Sequence, residues 1–277
     1  MSRLLAVVDG TIRESLAKFT FLAFLIMSTL MLLLIGLAAN LDVVDGALAG
    51  MKLFGHDLVI GGNRISLESL VTGTQFGLGL YLFSVGLFLS IFATANLVPV
   101  MLEKGYVDLL LSKPLSRPAL FLGRYLGALS VVFINLVYLV GGVWLLLGWK
   151  TGIWKAGLPA AGLIILLTYA ILLGFMMLVG VMTRSSSITI MLSYFLFPLT
   201  GFLSVRENVT VMITSKTAVA IIDGFYHVLP KVTGLGRIMS ELAMEKPVAS
   251  FAPLGSSVLF GAACLALGTV YFSRKDY

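Results

Sequence analysis

The chain reads as long apolar runs parted by polar interruptions, and the spacing within each stretch decides what it builds. Between Ser2 and Phe19, residues Leu4, Leu5, Val8, Ile12, Leu16 and Phe19 share one arc at about 100° per residue, with Arg3, Arg13, Glu14 and Lys18 opposite. This predicts an amphipathic helix over 1–18 lying in a membrane interface, with a possible bend at Gly10. Phe19 to Ala39 is an unbroken apolar run of 21 residues. It reaches about 31 Å as a helix, enough for a hydrocarbon core of about 30 Å and longer than the apolar part of a cleaved signal peptide. Further spans are predicted at 76–102, 119–148, 158–182, 188–205 and 253–272. The run 119–148 is about 45 Å long, so its first turns, with Arg124, are expected to extend into headgroups or water. Trp144, Trp149 and Trp154 at its far end fit an interfacial belt.

Three interruptions carry their own pattern. Residues 40–75 are polar and glycine-rich, with a turn signal at Gly61-Gly62-Asn63 between short apolar pieces that suit a hairpin. The stretch 206–251 is too long for a plain connector. Thr217 to Leu229 has helical spacing, ends before Pro230 and is too short to cross a bilayer, so it is expected to dip into the outer leaflet or cap a path; Gly236 to Lys246 suits a second short helix. In the third, Leu102, Tyr106, Leu109 and Leu110 share one helical side while Lys104, Asp108 and Ser112 share the other. Lys113 precedes Pro114, which stops that helix near Ser112, and Arg117-Pro118 starts the next. The fold class expected is all-α: one polytopic membrane domain over 1–277 with six transmembrane helices, an interfacial first helix, a surface helix and turn at 103–117, and short helices in the last external loop.

Composition agrees with that class. Of 277 residues, 59% are hydrophobic and 12% charged, against about 25% charged in soluble proteins, and the mean hydropathy is +1.04. The net charge of +6 sits between apolar runs, where it sets orientation, and implies no nucleic-acid binding. Segments 1–18, 103–124, 183–187 and 273–277 hold ten Lys and Arg in 50 residues, whereas the opposite side spreads nine over about 90. The denser side, with both termini, is expected to be cytoplasmic, in the inner membrane. The single Cys264 lies in an apolar run and predicts a buried thiol outside any disulfide framework.

Candidate chemistry is sparse. No phosphate-binding G-x-x-x-x-G-K-[ST] loop occurs, so ATP is not bound by that route. The predicted spans contain no Asp, Glu, His or Lys, which disfavours ion-coupled transport. Both histidines, His56 and His227, lie in interruptions, so neither a metal site nor an intramembrane hydrolase is expected. Polar residues singled out within spans are Asn96, Asn135, Thr168, Ser193 and Thr200, read as interhelical hydrogen-bonding groups; Asn135, mid-span, is the first candidate for a transport path, and Asn96 is a further one. Gly123 and Gly127 form a small-xxx-small pair, and Gly77, Gly79 and Gly86 lighten the 76–102 span for close helix approach.

The run Glu103, Gly105, Leu109 to Leu111, Ser112-Lys113-Pro114-Leu115-Ser116-Arg117 and Gly123 resembles the segment between the second and third spans of ABC-2 type ABC transporter permeases. Tyr106 stands where Thr is usual and Arg124 where Lys is usual. The wider pattern is similar to the short six-span group, which includes the permease of nitrous oxide reductase maturation and efflux permeases. The resemblance implies a transmembrane permease subunit, moving substrate as an exporter on hydrolysis by a separate ATPase. ATP and magnesium would be used by that partner; this chain would bind no cofactor and would not itself be an enzyme. The surface helix would be a coupling helix docking in the ATPase, through Glu103, Lys104, Gly105, Tyr106, Asp108, Leu109, Lys113, Pro114 and Arg117. Implied partners are two copies of a cytoplasmic ATPase, a second permease chain, identical or not, and the lipid bilayer. The competing reading is a membrane component of an ATPase-associated assembly or maturation system that does not transport; a secondary transporter ranks third.

Overall fold

A computed structural model describes residues 3–17, 19–38, 40–44, 47–53, 56–57, 67–102, 116–206 and 215–274. The chain begins with α1 (Arg3–Ala17) and α2 (Phe19–Ala38). Next come three short strands, β1 (Asn40–Val44), β2 (Ala47–Leu53) and β3 (His56–Asp57), paired in order as an antiparallel meander. This small sheet is the exception to the all-α expectation. The Gly61-Gly62-Asn63 turn lies outside the described residues.

Helix α3 (Leu67–Tyr81) continues through a π turn (Leu82–Gly86) into α4 (Leu87–Thr94), then after a break at Ala95-Asn96 into α5 (Leu97–Met101). It starts nine residues before the expected 76, because Leu67, Val71, Gln75 and Leu78 recur at helical spacing and are all buried. The remaining helices are α6 (Arg117–Thr151), α7 (Gly157–Thr183), α8 (Ser186–Ser204), α9 (Lys216–Val228), α10 (Val232–Ala243) and α11 (Ala252–Arg274). Pro118 stands in the first turn of α6, where its missing N–H is harmless. Gly152, at φ 72°, closes the other end by donating to the Gly148 carbonyl at 2.9 Å.

Among the described residues, five helical stretches are long and apolar enough to cross a membrane: 67–101, α6, α7, α8 and α11. The expected first span coincides with α2, an apolar helix of 20 residues. The chain is built as a multi-pass membrane protein, with apolar side chains facing outward, such as Leu37 of α2, Met191 of α8 and Leu259 of α11.

Helix α7 is the core, buried on nearly every side: Leu158, Ala161, Thr168, Tyr169, Leu172 and Val181 have no exposed surface. Glycines let α11 press against it. A Cβ on Gly174 would lie 2.8 Å from the Gly261 carbonyl oxygen, and one on Gly261 would lie 3.0 Å from the Ile171 Cα. The two helices run in parallel, and the last turn of α11 meets the first turn of α6, where the Phe121 and Phe272 rings lie 5.6 Å apart and Arg117 donates to the Ser273 carbonyl at 3.4 Å. One end of the bundle therefore holds α1, Met101, Arg117, the α7–α8 turn and Ser273. The other end holds the α6–α7 connection, α9 and α10.

Two expectations about α1 are corrected. Glu14, read as part of the wet face, turns inward and forms an ion pair with Arg124, and the packed face of α1 runs through Val7, Thr11 and Glu14. Arg124 accordingly does not extend into water: it is buried, because α1 covers it. Gly127 is the contact that permits this, since a Cβ there would lie 2.5 Å from the Thr11 Cβ. As α1 advances from Thr11 to Glu14, its partner on α6 steps back from Gly127 to Arg124, so the two helices run in opposite directions. The small-residue face of α6 thus receives α1 instead of another long helix.

Candidate functional site

Most of the expected docking residues, Glu103, Lys104, Gly105, Tyr106, Asp108, Leu109, Lys113 and Pro114, lie outside the described residues. What is described are the two flanks of that stretch. Leu102 ends the 67–101 helix buried in the core, and Arg117 opens α6 half-buried. Both belong to the end of the bundle that carries α1.

Asn135 sits on α6 facing α2. Its Oδ1 accepts from the Ser28 hydroxyl at 3.0 Å, and one turn further on the Thr29 and Tyr138 hydroxyls meet at 3.1 Å. Lower down the same face, a Cβ on Gly142 would lie 2.8 Å from the Leu32 side chain, so α2 keeps close register along α6. Behind Asn135 is a small cavity of about 50 Å³, bounded by α2, the π turn, α6 and α7, with Ser28, Ser90, Asn135 and Tyr169 as its polar lining. Its volume is roughly that of one or two waters in the liquid.

The opposite wall of this cavity is a hydrogen-bonded chain. The Tyr169 hydroxyl donates to Thr94 Oγ1 at 3.1 Å, Thr94 donates to the Ser90 carbonyl at 2.7 Å, and the Ser90 hydroxyl donates to the Gly86 carbonyl at 2.8 Å. Gly86 closes the π turn, where the wider winding alters the carbonyl ladder, and the Ser84 hydroxyl donates to the Leu80 carbonyl at 2.7 Å. Tyr194 of α8 stacks on Phe88 at 3.9 Å and donates to its carbonyl at 2.8 Å, tying the helix beyond the π turn to α8. These neutral donors and acceptors include no nucleophile paired with a base. They can hold water or a polar group mid-bundle, beside the π turn where the helix winding widens.

Asn96 is not brought to Asn135. It lies exposed at the break before α5, its carbonyl accepting from the Val100 amide at 3.1 Å. Thr168, Ser193 and Thr200 do not bridge helices either: each hydroxyl donates to a carbonyl of its own helix, those of Ile164, Thr189 and Phe197. In an apolar helix that intrahelical acceptor is always within reach, which is why it wins. Sequence reasoning passed over Ser28, Ser90, Thr94 and Tyr169; their only signal was polarity within an apolar run.

No protein-family model and no curated protein matches the chain.

At the far end, Lys155 ties three elements together. Its ammonium lies 2.8 Å from Glu68 and 3.3 Å from Glu245, and donates to Thr72 at 3.0 Å. Hydrogen bonding to Glu68, opposed in part by burial, raises its pKa above the ordinary lysine value. Trp144 and Gln75 both donate to the Lys155 carbonyl, at 2.8 and 3.4 Å, and Trp144 meets Trp154 edge-on at 4.8 Å. Trp149 projects outward, 89% exposed, as an interfacial belt residue would.

Proposed function

We propose that this chain is the membrane-spanning subunit of an ATP-driven transporter of the ABC-2 type, an exporter whose hydrolysis is performed by a separate cytoplasmic ATPase. The observation that carries the reading is the Glu103–Arg117 stretch, with its Ser112-Lys113-Pro114-Leu115-Ser116-Arg117 turn, joining two long apolar helices at the bundle end that also holds α1. A helix there, continuous with two spans, would transmit closure of a docked ATPase as rigid-body movement. The arrangement of α2, apolar over 20 residues, beside the five other apolar helices supports six spans, with both termini cytoplasmic on the charge count.

In this reading the cavity at Asn135 lies on the cargo path, because it combines a neutral polar lining with a π turn that can change winding. Purification from native membranes in mild detergent tests the proposal. An ATPase should co-purify, Asp108→Lys should abolish its recovery while the chain still inserts, and vesicles of the complex should move cargo only with ATP. Full recovery of the ATPase with Asp108→Lys would refute the docking role, and a complex that hydrolyses ATP without moving anything would favour an assembly component.

A further inference from the structure

The end of the bundle that carries α9 and α10 contains a second cavity, unconnected with the Asn135 pocket, of about 260 Å³. That is roughly nine times the ~30 Å³ share of one liquid water. Its walls are divided by chemistry. Leu203 and Ile238, both buried, line it with Leu229 as apolar surface, whereas Lys231 and Arg237 of α10 and its approach bring positive charge.

The charge on this cavity is only partly cancelled. Tyr226 at its edge is faced by two cations, Arg206 at 3.8 Å and Lys231 at 4.5 Å from the ring centroid. Arg206 is neutralised by an ion pair with Asp223, but Lys231 is in no ion pair among the described residues. Arg237 is exposed and has no ion pair or side-chain hydrogen bond among the described residues either. Glu241 also lines the cavity, and its carboxylate is engaged by the Ala249 amide at 3.1 Å. Two cations therefore face one carboxylate, whose amide partner is neutral, and the lining keeps a positive excess.

The surroundings place this cavity at an apolar boundary. Ile221, Phe225 and Val228 recur at i, i+4 and i+7 on α9, each more than half exposed, and no residue of α9 is buried. Phe195 and Phe202 continue an exposed apolar surface along α8. An amphipathic helix of this kind seats its apolar face among acyl chains, with its polar face toward the headgroups.

We propose that the cavity binds an amphiphile with an anionic head, a phosphate or carboxylate on an alkyl chain. Lys231 and Arg237 receive the head as charge-assisted hydrogen-bond donors, and Leu203, Leu229 and Ile238 receive the first methylenes. The guanidinium of Arg237 offers the paired donors that a phosphate or carboxylate takes up. Such a head can belong to a bilayer lipid or to an amphiphilic solute. The inference stands apart from the transport reading, since it needs no ATPase.

The test uses the purified full chain in uncharged maltoside detergent, with dodecyl phosphate titrated by calorimetry. Saturable binding is expected, weakened at least tenfold by Arg237→Gln and by Lys231→Gln and retained within about threefold by Arg237→Lys. Dodecyltrimethylammonium should not compete, and inorganic phosphate should compete at least a hundredfold more weakly. An unchanged thermal midpoint identifies the variants as folded. Absence of saturable binding, equal affinity in folded Arg237→Gln, or equal competition by the ammonium amphiphile would overturn the proposal. In nanodiscs, phosphatidylglycerol blocking dodecyl phosphate where phosphatidylcholine does not would identify a bilayer lipid as the source; binding unaffected by phosphatidylglycerol would identify a solute.

Discussion

Replacing Glu14 with Gln should loosen α1 from α6 while leaving the bundle folded. The substitution keeps the side chain's shape and one acceptor oxygen but removes the charge opposite Arg124, whose side chain is only 5% exposed. Breaking a fully buried ion pair costs about 3–5 kcal/mol, and an exposed pair contributes about 0–1 kcal/mol. Glu14 is 27% exposed, so the cost falls between these limits, at about 1–3 kcal/mol. The population with α1 detached should then rise by about 5- to 150-fold. Arg13 supplies the readout: its side chain is 78% exposed, yet it sits within the helix, so trypsin cuts there only when α1 opens. At low protease the cutting rate follows that population. Adding Arg124→Gln to Glu14→Gln should recover much of the loss, because no buried charge is then left facing a neutral amide. A rise below twofold in the single variant, or a double variant cut as fast as the single one, would refute the account.

Other substitutions test other contacts. Gly174→Val should lower stability by about 1–3 kcal/mol or more, because its Cβ would meet the Gly261 carbonyl, whereas Gly141→Val, with open space around it, should unfold near the wild-type midpoint. Ser28→Ala should cost only about 0.6 kcal/mol, read as a small shift in thermal midpoint, since interhelical hydrogen bonds within membranes are modest. Lys155→Met should speed hydrogen exchange at Met244 and Glu245 with a global cost below about 1 kcal/mol. The raised pKa of Lys155 gives this link a pH dependence: its contribution is complete below the unfolded lysine pKa and fades as pH rises through the higher folded value, so the protection factors of the Met244 and Glu245 amides in the wild type, corrected for intrinsic exchange, should not change across the neutral range.

The long apolar runs were legible because lipid-facing and core-facing surfaces are both hydrophobic, and length alone then separates the spans. Helix α7, expected at 158–182 and found at 157–183, is the clearest case. What escaped were places where packing decides. The start of α3 looked like loop because Glu68, Ser69, Thr72 and Gly73 dilute its hydropathy, although Leu67, Val71 and Gln75 face inward. Helix α10 was expected from Gly236 and begins at Val232; its glycines weaken helix propensity, but a Cβ on Gly234 would meet Pro253 at 2.7 Å and one on Gly236 would meet Phe83 at 3.0 Å. Of the candidate site, Asn135 was legible as a lone amide mid-span. Ser28, Ser90 and Tyr169 were not, because a hydroxyl in an apolar helix has an intrahelical acceptor available and only the tertiary arrangement shows which ones turn to a shared space.

The glycine seam between α7 and α11 also limits how this protein can change shape. Two backbones in direct contact cannot slide past one another without lifting apart, so these two helices form the keel of the bundle and tilt only together. Any widening or narrowing of the bundle must then be taken up by its flank, where α2 touches little besides α6 and α1 and where the π turn has a spare residue to absorb.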